Sequence, residues 1–407
     1  MNIFIIPSWY PSAEQPHAGI FTKEQAEALA HIFPTSSFAL SSWGSHEEDL
    51  LLWAREPFSS LVKVGKFFFK KPAQKQLAPN LLEYYSPALA WSRKFFSGNI
   101  RNIIKVNEKH LLDFMARCGK VDVLHAHSAY PGGWVAKELG RKYKIPYLIT
   151  EHMSPFPFKS FLSRNGKLSP YLQKPYRQAY ATIVVSPQQQ ETLAEWGIPG
   201  LRHIPNLVNE NFFRPAPKSK EASTAFTFFT LGRQEPQKGI PFLLEAFQQY
   251  SSTQPNSQLR IGGDGSREKE YQQMAHQLGI SDKVAWLGGL SRKEALKEFQ
   301  QCQVFVLPSL HENLPLVLIE AIACGKPVIG TRCGGPESII NEKNGLLVEA
   351  GNAEALALAL AGAQQHFARY NEQEIRNDFC SRYSRQVVCR QIMEVYEEAK
   401  TKSGRDF

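Results

Sequence analysis

Residues Pro308 to Pro336 read PSLHENLPLVLIEAIACGKPVIGTRCGGP. The order of residue types predicts a strand end, a tight loop, a helix and a second strand. Val304 to Leu307, just upstream, is a short apolar run of strand composition. Pro315 suits the first turn of a helix, where its missing N–H would have no partner anyway, and Gly325 suits the helix end. Strand, loop, helix and strand in this order build a parallel sheet, and such sheets bind ligands beyond the carboxyl ends of their strands. Two carboxylates fall there, Glu312 in the loop and Glu320 on the helix. The backbone at the opening of the helix, Asn313-Leu314-Pro315-Leu316, favours an anion such as a diphosphate. A loop carboxylate beside an anion needs hydrogen-bond donors instead, and sugar or ribose hydroxyls supply them.

The same alternation extends outward in both directions. In the first half NIFIIP, SSFAL, VDVLHAH, IPYLIT and ATIVVS read as buried strands, with an amphipathic helix over Phe21 to Ala30. The second half repeats the pattern in AFTFFTLG, LRIGG, KVAWLGG, VFVLPS, PVIGT and GLLVEA. Between them the pattern breaks near Asn209, before a Pro- and Lys-containing stretch. The expectation is therefore two doubly wound Rossmann-like domains, one over 1–208 and one over 209–383, with a closing amphipathic helix in 384–407.

Composition excludes several classes. At 407 residues the chain is too long for one ordinary core, and 43% hydrophobic with 21% charged residues is that of a folded globule. Six cysteines show no C-x-x-C pair or metal-ligand spacing, which suits a reduced, cytoplasmic protein. No run approaches the roughly 20 apolar residues of a membrane span. The net charge of +9 is concentrated in residues 61–110, where ten Lys or Arg face Glu83 and Glu108 among eight aromatic residues. Mixed this way they suit an anionic membrane surface or a lipid-linked diphosphate, with a solvated face over an aromatic core as the plain alternative. No nucleic-acid-binding module appears, so nucleic acid is not an expected partner.

Further motifs carry chemistry. Arg233 and Lys238 end a strand and open a helix, where a forked and a point charge neutralise phosphates. Gly263, in Gly262-Gly263-Asp264-Gly265, follows another strand and lets backbone approach a ligand. His125 and His127 end a strand on one side of it. Thr150-Glu151-His152 ends the next, making Glu151 and His152 candidates for acceptor contact.

Taken together, Pro308, Ser309, Glu312, Glu320, Ala321, Ala323, Gly325, Pro327, Gly334, Gly335 and Glu337 resemble the E-x7-E region of the retaining, family 4 glycosyltransferases. Arg233 and Lys238-Gly239 resemble that family's phosphate-binding element, and His125-Ala-His127 its HxH element. The resemblance implies a GT-B fold, two domains facing across a cleft with the last helix crossing back to the N-terminal domain. It implies transfer of a hexosyl residue from a nucleotide diphosphate sugar, UDP- or GDP-linked, to a glycan, glycolipid or lipid-linked acceptor. By the same resemblance Glu312 orients the donor sugar, Glu320 holds the ribose, and Arg233 and Lys238 hold the diphosphate. His127 lines the cleft beside the sugar, and Gly19 approaches the donor phosphate. No Asp-x-Asp pair stands beside a nucleotide loop, so neither a metal nor another cofactor is expected. The expected location is cytoplasmic, with peripheral membrane contact through 61–110 as an additional expectation. Two alternatives remain: a sugar-nucleotide epimerase of the same fold and an inactive nucleotide-sugar-binding subunit.

Overall fold

The computed structural model describes residues 1–11, 18–43, 65, 69–88, 99–217 and 225–403. Strands β1 (Asn2–Pro7), β2 (Ser37–Ser42), β3 (Ala73–Ala78), β4 (Leu81–Tyr85), β5 (Val123–His127), β6 (Tyr147–Glu151), β7 (Ala181–Val184) and β8 (Leu201–His203) form one sheet. Their order is β3-β4-β2-β1-β5-β6-β7-β8. Every neighbouring pair is parallel except β3 with β4. Helices cover both faces of such a sheet, which is why Ile3 to Ile6 and Tyr147 to Ile149 are nearly continuous apolar runs rather than alternating ones.

A second sheet holds β9 (Phe226–Leu231), β10 (Ser257–Gly262), β11 (Val284–Gly288), β12 (Val304–Leu307), β13 (Val328–Arg332) and β14 (Gly345–Glu349) in the order β11-β10-β9-β12-β13-β14. All of its pairs are parallel. Phe228, Phe247 and Tyr250 meet edge to face on one side of it, and Phe229, Phe299 and Phe305 on the other. The chain thus forms two compact units. The first comprises Met1–Val185, Gln189–Ile204 and Val388–Phe407, and the second Ser186–Gln188 and Pro205–Val387. The sequence reading drew these divisions at 208/209 and 383/384. The last helix, Arg385–Ser403, belongs to the first unit from Val388 onward, where the Tyr396 hydroxyl lies 2.6 Å from His125 Nδ1.

The basic stretch 61–110, in which the sequence showed no strand, contributes to the fold: its described part supplies β3, β4 and the start of the helix Ile100–Cys118, all of which belong to the first unit. Tyr84 is buried and stacks on His110, while Lys75 lies on the exposed edge strand β3. Alternation on a two-sided edge pair is short and interrupted, so composition drew attention to its lysines instead. Lys63, Lys66, Arg93, Lys94, Phe67, Phe68, Trp91, Phe95 and Phe96 lie outside the described residues.

Each sheet has one topological switch point, where the strand order reverses direction. In the first it falls between β1 and β5, and in the second between β9 and β12. The crevice beyond the carboxyl ends of such a strand pair is where open α/β sheets place ligands.

Candidate active site

In the second unit, β9 delivers Arg233 and Lys238, and β12 delivers Ser309 and Glu312. Lys238 sits in a short helical turn, Pro236–Lys238, and Gly239 behind it has φ +66°. A Cβ at Gly239 would lie 2.0 Å from the carbonyl oxygen of Pro308, so only glycine lets the two loops touch. That contact brings Lys238 Nζ to 2.5 Å from Glu312 Oε1. The Ser309 hydroxyl, fully buried, donates to the same oxygen at 2.7 Å. Thr331 in turn donates to the Ser309 carbonyl. Glu312 is also fixed through its backbone, its N–H donating to Cys333 O at 3.1 Å and its carbonyl accepting from Gly335 N at 2.9 Å. Oε1 is therefore saturated, and no described residue bonds Oε2. Arg233 is exposed and makes no ion pair among the described residues. One cation is held in place and the other extends into solvent.

The helix after this loop runs Leu316–Ala323. Pro315 precedes its first residue, one position earlier than the sequence suggested, and no side chain caps the end. Asn313 accepts a 2.8 Å hydrogen bond from Ser186, a residue of the same unit. Leu314 and Leu316 are half-buried, packed against the core beneath. Glu320 makes no side-chain hydrogen bond or ion pair among the described residues. Burial pushes its carboxyl up to about 7, and Arg292 opposes that shift. Arg292 itself rests over the rings of Phe212 and Phe213, 5.2 Å from each centroid. Gly263 donates its N–H to Gly288 O at 2.7 Å and accepts from the Gln234 amide at 2.6 Å, tying the β10 turn to the Arg233 loop.

In the first unit, β5 carries both histidines, their ring centroids 4.6 Å apart. His125 is filled on both nitrogens, by Tyr396 Oη at 2.6 Å and Thr150 Oγ1 at 2.7 Å, so it is part of the core. His127, one strand repeat onward, has Nδ1 3.0 Å from His152 Nε2, with the two rings nearly parallel at 4°. Its Nε2 is buried and has no partner among the described residues. Burial lowers all three imidazoles, His125 and His152 to about 3 and His127 well below its usual value, so the cluster is neutral at physiological pH. Gly19, at the start of the helix Ile20–Ile32, has φ +63°, and a Cβ there would lie 2.1 Å from Trp9 O. The close approach recorded at Gly19 is thus to its own loop.

Glu151 departs from the expectation of an acceptor contact. Its carboxylate accepts from Ala129 N (2.9 Å), His152 N (2.8 Å), Met153 N (2.7 Å) and the Tyr176 hydroxyl, and it is wholly buried. A carboxylate so occupied organises the β5 and β6 loop ends and has no capacity left for a ligand. Sequence reading also missed Ser309 as the partner of Glu312, although it stands in the quoted stretch. Tyr396 carries no local signal, being 271 positions from His125.

Two doubly wound sheets, one all parallel and one with a single antiparallel edge pair, each with polar groups gathered at its switch point, make a two-domain α/β chain of the GT-B type. The chain belongs to the group 1 glycosyltransferases: the Glycosyl transferases group 1 family matches residues 213–365 and Glycosyltransferase Family 4 matches 73–212. An uncharacterized glycosyltransferase of Methanocaldococcus jannaschii is 28% identical over 331 residues, covering 73% of this chain and 86% of that protein. The structure of a sucrose-phosphate synthase from Thermosynechococcus elongatus superposes with a TM-score of 0.70 at 19% identity, over 98% of this chain and 99% of that one. Anabaena HepE in complex with UDP gives 0.69 at 17% identity, over 98% and 100% of the two chains.

Proposed function

We propose that this glycosyltransferase moves a hexosyl residue, with retention of configuration, from a nucleotide diphosphate sugar to a glycan, glycolipid or lipid-linked acceptor. The observation that carries the reading is the Lys238–Glu312 pair at the β9/β12 switch point, on the same loop as the exposed Arg233, which makes no ion pair among the described residues. Departure of a nucleoside diphosphate concentrates negative charge on the leaving oxygen, and fixed cations there lower the barrier most. Lys238 is already positioned for it, and Arg233 supplies the forked contact. Glu312 Oε2 accepts from a hydroxyl of the donor sugar, and Glu320 accepts from the ribose hydroxyls. HepE binds UDP on a similar fold, which supports a nucleoside diphosphate as the ligand class. Positive side chains and the backbone at the Leu316–Ala323 helix opening do the electrostatic task, so no metal ion is assigned.

The transferred sugar is placed beside His127, and the leaving phosphate takes the proton of the acceptor hydroxyl as that hydroxyl attacks from the same face. Purified protein offered UDP-glucose, UDP-galactose, UDP-N-acetylglucosamine and GDP-mannose tests the reading. At least one should release nucleoside diphosphate, faster when acceptor is added, and Lys238→Ala should suppress release without unfolding the protein. A protein that binds none of these donors, or a Lys238→Ala enzyme of normal rate, overturns it.

A further inference from the structure

Glu151 ends β6, and the helix that carries the chain back begins at Pro170. The 18 residues between them, 152–169, far exceed the roughly 2–6 of most βα connections, and connections of such length in a compact domain usually serve function. This one is a built hairpin. Leu162 bridges Leu168 in antiparallel fashion, Ser169 N donates to Phe161 O at 2.8 Å, and Ser163 N donates to Lys167 O at 2.9 Å. The tip closes at Gly166, whose φ of +70° a residue with a Cβ would adopt only under strain, and the Ser163 hydroxyl accepts from Lys167 N at 3.0 Å. Two feet hold the hairpin to the first unit: Phe161 and Leu168 are buried, and Phe161 meets the ring of Tyr130 edge to face at 5.8 Å.

What the hairpin presents is charge of one sign. Lys159, Arg164 and Lys167 are exposed, and none of their side chains has an ion pair or hydrogen bond among the described residues. Lys174 and Arg177, three positions apart and both exposed, continue the same sign along the helix Pro170–Gln178. No Asp or Glu occurs from residue 152 to residue 190. Other exposed cations of the first unit do have carboxylate partners: Arg117 with Asp113, Arg141 with Glu138, Lys142 with Glu108 and Lys400 with Asp122. Solubility is met by charges of mixed sign, whereas cations without an acid among them repel one another and attract an anion. The tip, Ser163 to Lys167, holds no large hydrophobic side chain, and none is exposed anywhere in 152–190. A loop that inserts into a membrane combines basic with exposed apolar residues, so this tip suits an anion that stays in water.

We propose that the 152–169 hairpin binds the acceptor by its negative charge: the acceptor is a glycan bearing carboxylates or phosphates, held by Arg164 and Lys167 at the tip and by Lys159 on the approach to it. Arginine gives either anion a forked contact and lysine a point charge. The hairpin leaves the sheet at the carboxyl end of β6, the end at which open α/β sheets bind ligands. The proposal rests on the glycosyltransferase reading given above and adds the charge of its acceptor.

Calorimetric titration at low salt tests it, with oligogalacturonate as the carboxylate probe, phosphomannan as the phosphate probe and methyl-esterified oligogalacturonate as the neutral one. At least one anionic glycan should bind, more weakly as salt rises, and the neutral one should not. Arg164→Gln combined with Lys167→Gln should weaken that binding about tenfold, the loss of two exposed charge contacts, with melting temperature and UDP or GDP affinity unchanged. Lys120→Gln combined with Lys144→Gln removes the same net charge from exposed positions just before β5 and β6, at the opposite end of the sheet, and should leave glycan binding as it is. Equal weakening by both pairs would reduce the effect to net charge and overturn the proposal. Binding of the neutral glycan as tightly as the anionic ones overturns it too, as does tighter binding to phosphatidylglycerol vesicles through the same residues, which would move the contact to a membrane. A protein that binds UDP, GDP or one of the four donors but neither anionic glycan refutes this proposal alone. If it binds no nucleotide or donor, the underlying function fails first and this proposal with it.

Discussion

The two switch points handle charge in opposite ways. In the second unit the crevice residues are ionic: Lys238 and Glu312 in contact, Arg233 exposed, Glu320 half-buried. In the first unit the corresponding residues are neutral and enclosed, three imidazoles lowered by burial. Under the proposed function the charged residues of the second unit suit an anionic ligand, and the neutral ones of the first suit uncharged hydroxyls. Salt and pH should therefore act on the second crevice and leave the first indifferent.

The largest effect is expected at Lys238. Lys238→Ala should cut turnover about 100- to 1,000-fold, as removal of a single transition-state contact does elsewhere, while circular dichroism and melting stay near wild type. A variant within tenfold of wild type would remove the contrast between the two halves. Next in size is a stability effect in the first unit. Glu151→Ala leaves three N–H groups, two of them buried, and the Tyr176 hydroxyl without their acceptor and should cost about 3 kcal/mol in urea unfolding. A cost below about 1 kcal/mol would show that water or another group takes its place.

His127→Phe keeps the ring and removes the nitrogen. It should slow donor hydrolysis about 30-fold, equivalent to roughly 2 kcal/mol, with the salt dependence of nucleotide binding unchanged. A changed salt slope would mean that His127 carries charge in the working enzyme. The smallest effect is at Glu320. With its carboxyl raised to about 7, it is mostly protonated at pH 6 and ionised at pH 8. Nucleoside diphosphate binding by wild type should tighten over that range by up to about tenfold more than binding by Glu320→Gln. Parallel pH profiles would detach Glu320 from the ribose. The stability sign is opposite: an acid raised in the folded state destabilises as pH climbs from its usual 4.5 toward 7, and Glu320→Gln should lose that slope.

The ionic half was the more legible in sequence. Strands of the second sheet are short apolar runs between turn residues, and the Pro308 to Pro336 stretch places Ser309, Glu312 and Glu320 within twelve positions. The pairing of Lys238 with Glu312 was not visible, because it depends on Gly239 lying against Pro308. In the first half, β3 and β4 were overlooked beneath a conspicuous charge count, and Glu151 was mistaken for a ligand contact. Both errors have the same physical origin. A side chain's role there depends on partners from distant strands, as with Thr150 and Tyr396 around His125.

That last hydrogen bond also bears on how the chain is made. Emerging from the ribosome, β5 appears 271 positions before the tyrosine that completes it. Until the final helix has been synthesised, His125 Nδ1 is short of a partner and the first unit lacks one of its covering helices. The second unit, continuous from Pro205 to Val387 apart from three residues, has no such wait. Order of synthesis and order of completion are thus reversed, the later-made half being the first able to close its core.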